Sequence, residues 1–138
     1  GRRVVWGALG SRSSVIFDLD QDGDLDIVTL EMNKPPMVLT SNLSEKNELN
    51  YLKVALVGSK SNKSGIGATV RVIAGNDVYT KVQDGKSGYL SQSLYPLYFG
   101  LGNHTEVDRV EVTWPSGKFQ TVDHDIELNR LISISESM

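Results

Sequence analysis

Five aspartates alternate through one nine-residue stretch, Asp18-Leu19-Asp20-Gln21-Asp22-Gly23-Asp24-Leu25-Asp26, and this is the densest chemistry in the chain. Carboxylates held this close repel one another and raise one another's pKa unless a cation compensates them. A hard divalent ion does so well. Calcium takes about six to eight oxygen ligands, and Gly at the sixth place of a tight loop lets alternate side chains and one backbone carbonyl face a common point. The pattern predicts a Ca2+ site with Asp18, Asp20, Asp22 and Asp26 as side-chain ligands and Asp24 giving its carbonyl. The competing reading, a solvated acidic turn, has no reason to keep strict alternation with Gly at the sixth place.

The remaining polar residues assemble no catalytic set. Cysteine is absent, so thiolate chemistry and disulfides are excluded. His104 in Gly102-Asn103-His104-Thr105 and His124 in Asp123-His124-Asp125 have no second histidine at metal-ligand spacing, and both read as exposed loop residues. The nucleophile elbow Gly-x-Ser-x-Gly does not occur. Gly65-Ile66-Gly67 lacks the third glycine of a dinucleotide fingerprint and precedes a strand-like run rather than a helix. The net charge is -3, and taking away the five loop aspartates would leave +2, so the acidity is local. Without a basic block no nucleic-acid partner is expected. No apolar run approaches the ~18 residues of a membrane span.

The elements that must position the loop read as strands. Val15-Ile16-Phe17 and Ile27-Val28-Thr29-Leu30 flank it, and Met37-Val38-Leu39-Thr40 follows the turn Asn33-Lys34-Pro35-Pro36. Residues 41–50 are polar and rich in turn formers, which places a boundary near Lys46. Beyond it, apolar residues alternate at Leu52, Val54 and Leu56, and again at Ala68, Val70, Val72 and Ala74, the period of half-buried strands. Gly75-Asn76 connects the second of these to Val78, Thr80 and Val82 as a two-residue hairpin turn. Val110, Val112 and Trp114 share a face, with Trp114 read as core. Trp114-Pro115-Ser116-Gly117 turns the chain into Phe119 to Val122, and Leu131 to Ser135 is the last strand. Gly100 and Gly102 suit bulges or bends. Six or seven such strands predict an all-β fold, an antiparallel β-sandwich or a jelly-roll-like barrel.

Strand, Asp loop, strand, in the form Val-Ile-Phe-Asp-Leu-Asp-Gln-Asp-Gly-Asp-Leu-Asp-Ile-Val, resembles the FG-GAP or VCBS-type repeats that build calcium-bearing blades of β-propellers. It is not an EF-hand, because the twelfth position is Thr29 and the flanks are strands. The resemblance implies that residues 1–46 are a partial propeller blade whose remaining blades are partners. Opening on Gly1-Arg2-Arg3 without an initiator Met, the chain reads as an excised or processed piece. Farther on, Gly65-Ile66-Gly67-Ala68, Gly88-Tyr89-Leu90-Ser91-Gln92-Ser93, Phe99-Gly100-Leu101-Gly102 and Val112-Thr113-Trp114-Pro115-Ser116-Gly117 resemble, in order, the ASPIC/UnbV domain, over roughly residues 50–136. This implies that residues 47–138 form a secreted, periplasmic or cell-surface module with no catalytic residue set.

Together these readings describe a calcium-binding, non-catalytic recognition or adhesion module for a protein or glycan at the cell surface. Tyr89 and Gln92, in the loop-like segment from Gly85 to Ser93, are its candidate partner-facing residues, the competing reading being that they hydrogen-bond that loop together. The alternatives are an accessory domain of a larger secreted enzyme, or a cap shielding a propeller edge.

Overall fold

The computed structural model describes residues 11–138, which form strands and turns with no α-helix. Gly1 to Gly10 of the expected blade lie outside the described residues. The first sheet is an antiparallel meander of β1 (Ser11–Phe17), β2 (Asp26–Glu31) and β3 (Met37–Leu39), in that order. The Asp-rich stretch is its first connection, closed at the base by the Phe17–Asp26 pair.

Nine strands follow: β4 (Asn50–Val57), β5 (Thr69–Ala74), β6 (Asp77–Val82), β7 (Lys86–Gly88), β8 (Ser91–Gln92), β9 (Leu97–Gly102), β10 (Arg109–Thr113), β11 (Phe119–Val122) and β12 (Arg130–Ser135). They build a four-stranded sheet, β11-β10-β5-β6, and a three-stranded sheet, β12-β4-β9, with β7 and β8 pairing separately. The ladders are antiparallel except for β12, which runs parallel to β4 from Arg130–Leu52 to Ser135–Val57.

One apolar face on each sheet makes this a sandwich. Leu52, Val54 and Leu56 of β4, Phe99 and Leu101 of β9 and Ile134 of β12 meet Val70 and Val72 of β5, Val110 and Val112 of β10, and Trp114 in a single buried cluster. Each such side chain contributes about 1.5–3 kcal/mol on burial, which is what holds together sheets too small to stand alone. Glu111, on the opposite face of β10, is also buried, because Arg71 and Arg109 cover its two oxygens at 2.9 and 2.8 Å.

The hairpin expected at Gly75-Asn76 forms with Ala74 opposite Asp77 and Gly75 at a φ of 57°. The Trp114 to Gly117 turn closes with the Gly117 N–H on the Trp114 carbonyl at 2.9 Å. Phe99-Gly100-Leu101-Gly102 belongs to β9, and a bulge falls there: Asn50 faces Gly102 while Tyr51 faces Gly100. The expectation of a loop from Gly85 to Ser93 is corrected. That segment is the hairpin β7–β8, pairing Lys86 with Gln92 and Gly88 with Ser91, with Tyr89 and Leu90 at an exposed tip.

Candidate metal centre

The Asp-rich loop does not stand free in solvent. It lies against the outer face of the β12-β4-β9 sheet, on residues alternate to those that fill the core. Tyr98 of β9 donates its hydroxyl to the Gly23 carbonyl at 2.7 Å, and Lys53 of β4 places its ammonium 2.5 Å from Asp18 Oδ2. Gly23 has a φ of 97°, and a Cβ there would sit 2.7 Å from the Tyr51 ring, so both backbone freedom and close approach require glycine. Tyr51 and Tyr98 stack at 5.3 Å. Burial raises the Tyr98 phenol to about 12, aided by Tyr51 and by the charges of Asp18, Asp24 and Asp22.

The polar segment after β3 closes the other side. The Ser41 N–H reaches Asp26 Oδ1 at 2.8 Å, the Ser44 N–H reaches Asp24 Oδ2 at 2.9 Å, and the Ser44 hydroxyl donates to Asp22 Oδ2 at 2.5 Å.

Of the five predicted ligands, Asp18, Asp20 and Asp22 come together, each with a carboxylate oxygen within 4.8 Å of the others. Asp24 and Asp26 do not join that group. Both oxygens of Asp26 already accept backbone N–H groups, from Leu19 at 2.9 Å and Ser41. Asp24 turns its side chain into the structure and is 2% exposed. The local field is uneven: Asp20 is raised, first by desolvation and then by the charges of Asp22 and Asp26, whereas the Ser44 hydroxyl, followed by the Asp24 N–H, lowers Asp22.

Two carboxylate oxygens in the loop are buried with no hydrogen-bond partner among the described residues, Asp18 Oδ1 and Asp24 Oδ1. Asp18 is instructive, since its side chain is 2% exposed and its other oxygen takes Lys53 and the Gly23 N–H at 3.2 Å. Buried acceptors are almost always satisfied. An oxygen left over beside two further carboxylates suits a hard cation, which accepts several carboxylate oxygens at once.

The other predicted positions separate clearly. Tyr89 is 63% exposed at the tip of β7–β8, and Gln92 is exposed on β8. Trp114 is core, with its indole N–H on Gln120 at 3.2 Å. His124 is exposed, as expected, and its pKa is raised by the Asp123 hydrogen bond, then by Asp125. His104 is not the free loop residue expected. It is half-buried, 2.8 Å from Asp77 Oδ2 and edge-on to Tyr79, because the turn after β9 folds back over the β5–β6 hairpin.

The described residues thus form an all-β sandwich whose outer face carries an acidic, strand-flanked loop. The chain belongs to the ASPIC and UnbV family, whose model matches residues 58–138. It is similar to cartilage acidic protein 1 of Homo sapiens, 32% identical over 126 residues covering 88% of this chain and 18% of that protein. The Mus musculus and Xenopus tropicalis proteins of the same name are 34% and 32% identical, over 75% and 87% of this chain and 16% and 19% of theirs. The chain thus spans less than a fifth of the curated relatives it matches.

Proposed function

We propose that this chain is a calcium-binding, non-catalytic recognition or adhesion module of a secreted, periplasmic or cell-surface protein, engaging a protein or glycan. The observation that carries it is the pair of buried, unpartnered oxygens at Asp18 and Asp24. Each such acceptor costs about 1–3 kcal/mol when nothing satisfies it, and a Ca2+ ion supplies what the protein withholds. Asp18, Asp20 and Asp22 form one side of the site, Asp24 completes it, and Asp26, whose two oxygens take the Leu19 and Ser41 N–H groups, holds the loop closed around it.

The division of the chain follows. Residues 1–46 are an FG-GAP/VCBS-type blade and 47–138 the ASPIC/UnbV-like sandwich, and because the loop sits on the sandwich face, the ion fixes the joint between them. The non-catalytic reading is supported by what the buried polar residues do: Glu111, Glu136 and Trp114 are all engaged in fixing the fold. Placement outside the cytoplasm is supported by relatives whose name attaches them to cartilage.

The test is calorimetry with thermal melts in calcium, magnesium and chelator. Calcium at about ten times its dissociation constant adds about 1.4 kcal/mol, which raises Tm by about 5 °C for a domain of this size. Asp22→Asn and Asp26→Asn abolish the shift. An equal shift with magnesium, or no heat and no shift, overturns the assignment.

A second reading, the edge cap, is favoured by one contact. Hairpin β7–β8 lies against β1, where a Cβ on Gly88 would sit 3.6 Å from the Ser14 carbonyl oxygen. On this reading the β7–β8 hairpin shields a strand of the first sheet that would otherwise invite pairing with another chain.

A further inference from the structure

The four-stranded sheet β11-β10-β5-β6 gives one face to the core through Val70, Val72, Val110 and Val112, and the Asp-rich loop lies on the other sheet. The alternate side chains of the four strands therefore make a second, outer face, and the ladder registers set them in rows. Val82, Thr69, Thr113 and Phe119 stand in line across the four strands. In the next row Arg71 is beside Glu111, and in the third Val78 and Arg109 flank Ile73. Three features of this face point to one kind of partner.

The first is charge. Arg71 and Arg109 donate to the two oxygens of Glu111 at 2.9 and 2.8 Å. The carboxylate is buried beneath them, while both arginine side chains stay almost half exposed. Each guanidinium spends one N–H group on Glu111 among the described residues, so the other N–H groups remain on offer from two fixed positions. No Lys or Asp stands in these rows, and Asp123, just past the end of β11, pairs with His124. The three charged groups of the face thus sum to +1, with the positive members outermost.

The second is apolar exposure around that pair. Phe119 is 59% exposed, and Val78 and Val82 are about as open. Arginine and aromatic residues with little Lys, Asp or exposed Glu are the composition that protein interfaces favour.

The third is size. Three strand spacings of about 4.8 Å and five or six residues of about 3.3 Å give the face an area of about 250–300 Å2. A stable interface between whole proteins places about 800 Å2 on each partner, so the face suits a short segment. A second copy of the same face is excluded by its charge, since two guanidinium pairs would be brought together.

We propose that this face binds a short, extended acidic segment of a partner protein, in which an Asp or Glu stands two residues from a large apolar side chain. Residues two apart in an extended segment share one side and repeat at about 6.7 Å, which is also the spacing of the rows along each strand. The carboxylate then meets Arg71 and Arg109 while the apolar side chain packs on Phe119 or Val82. The proposal rests on the reading of the chain as a recognition module and names the chemistry of its partner.

The experiment selects short peptides from a displayed random library on the 138-residue chain in calcium, and measures an enriched peptide by fluorescence anisotropy. The enriched sequences carry Asp or Glu two residues from Leu, Ile, Val, Phe or Trp. Replacing the acid of the peptide by its amide weakens binding by about ten-fold or more. The double variant Arg71→Gln, Arg109→Gln has the same effect, with Glu111→Gln added so that no buried charge is stranded and thermal melts to establish that it is folded. Phe119→Ser, at an exposed position, weakens binding without touching the ion cluster, and Lys34→Gln, on the exposed turn before β3, leaves it unchanged. Enriched sequences without an acid, equal affinity for the amide peptide, binding that survives loss of both arginines in a folded variant, or an equal loss with Lys34→Gln overturns the proposal. Melts in calcium and chelator separate the two readings. A calcium shift with no acidic consensus removes this face and keeps the metal module; peptide binding without a calcium shift does the reverse.

Discussion

Glu136 and Asp18 are both buried carboxylates, and the difference between them is how many of their oxygens the protein satisfies. Glu136 is 3% exposed and fully provided for: the N–H groups of Ser59, Lys60 and Ser61 each lie 2.8 Å from Oε2, and the Ser61 and Ser116 hydroxyls reach Oε1 at 3.0 and 2.5 Å. Burial alone would raise this carboxyl. The Ser116 hydroxyl, the Ser61 and Ser59 N–H groups and the Ser61 hydroxyl outweigh it and hold the group at about 2, against an ordinary 4.5. Since the folded pKa is depressed, the stabilisation is fully present above about 4.5 and is lost as pH falls toward about 2. Glu136→Gln is therefore expected to lower Tm at pH 7, with the gap to the parent closing across that acid window. A gap that stays constant down to the lowest pH would show that the charge contributes nothing. Asp18 keeps one oxygen without a hydrogen-bond partner among the described residues, and the proposed calcium site is what would use it.

Among the elements, hairpin β7–β8 carries the clearest prediction. Replacing Lys86 to Gln92 by a Gly/Ser linker of equal length uncovers β1. The variant is expected to keep its sandwich melt but to self-associate, seen as rising light scattering with concentration. Scattering identical to the parent would remove the edge-cap reading. This hairpin was not legible beforehand, because a ladder of three and two residues is shorter than any period. Strand β9 escaped for another reason: glycine holds the outward positions beside Phe99 and Leu101, so the usual β-branched signature is missing. By contrast β5, β10 and β12 were plain, since a sheet with one buried face imposes alternation on its strands. The five aspartates announced themselves, whereas Ser41, Ser44, Lys53 and Tyr98 did not. They reach the loop from 15 to 75 residues away and share no local pattern with it.

At the scale of the whole molecule, Asp18 joins the two sheets: one oxygen belongs to Lys53 of the sandwich, and the other is buried without a hydrogen-bond partner in the Asp-rich loop, whose Asp20 and Asp22 carboxylates lie close by. Removing the ammonium by Lys53→Met leaves a buried charge uncompensated, at a cost of about 1–3 kcal/mol. A bound cation compensates the same carboxylate, so urea melts are expected to show the loss in chelator and to show much less of it in calcium. Equal losses in both would mean that the ion and the ammonium do not compete for one charge.

The parallel pairing of β12 with β4 sets a further condition on how the molecule is made. The Asn129 N–H closes on the Tyr51 carbonyl at 2.8 Å across 78 residues of chain, so the first strand of the sandwich gains its last neighbour only when almost all of the unit exists. At about 5–20 residues per second on the ribosome, that wait is roughly 4–16 s. Until then β4 emerges with one edge unpaired and Leu52, Val54 and Leu56 incompletely covered. The hazard of mispairing during synthesis is therefore set by the order of the strands and not by the stability of the finished fold.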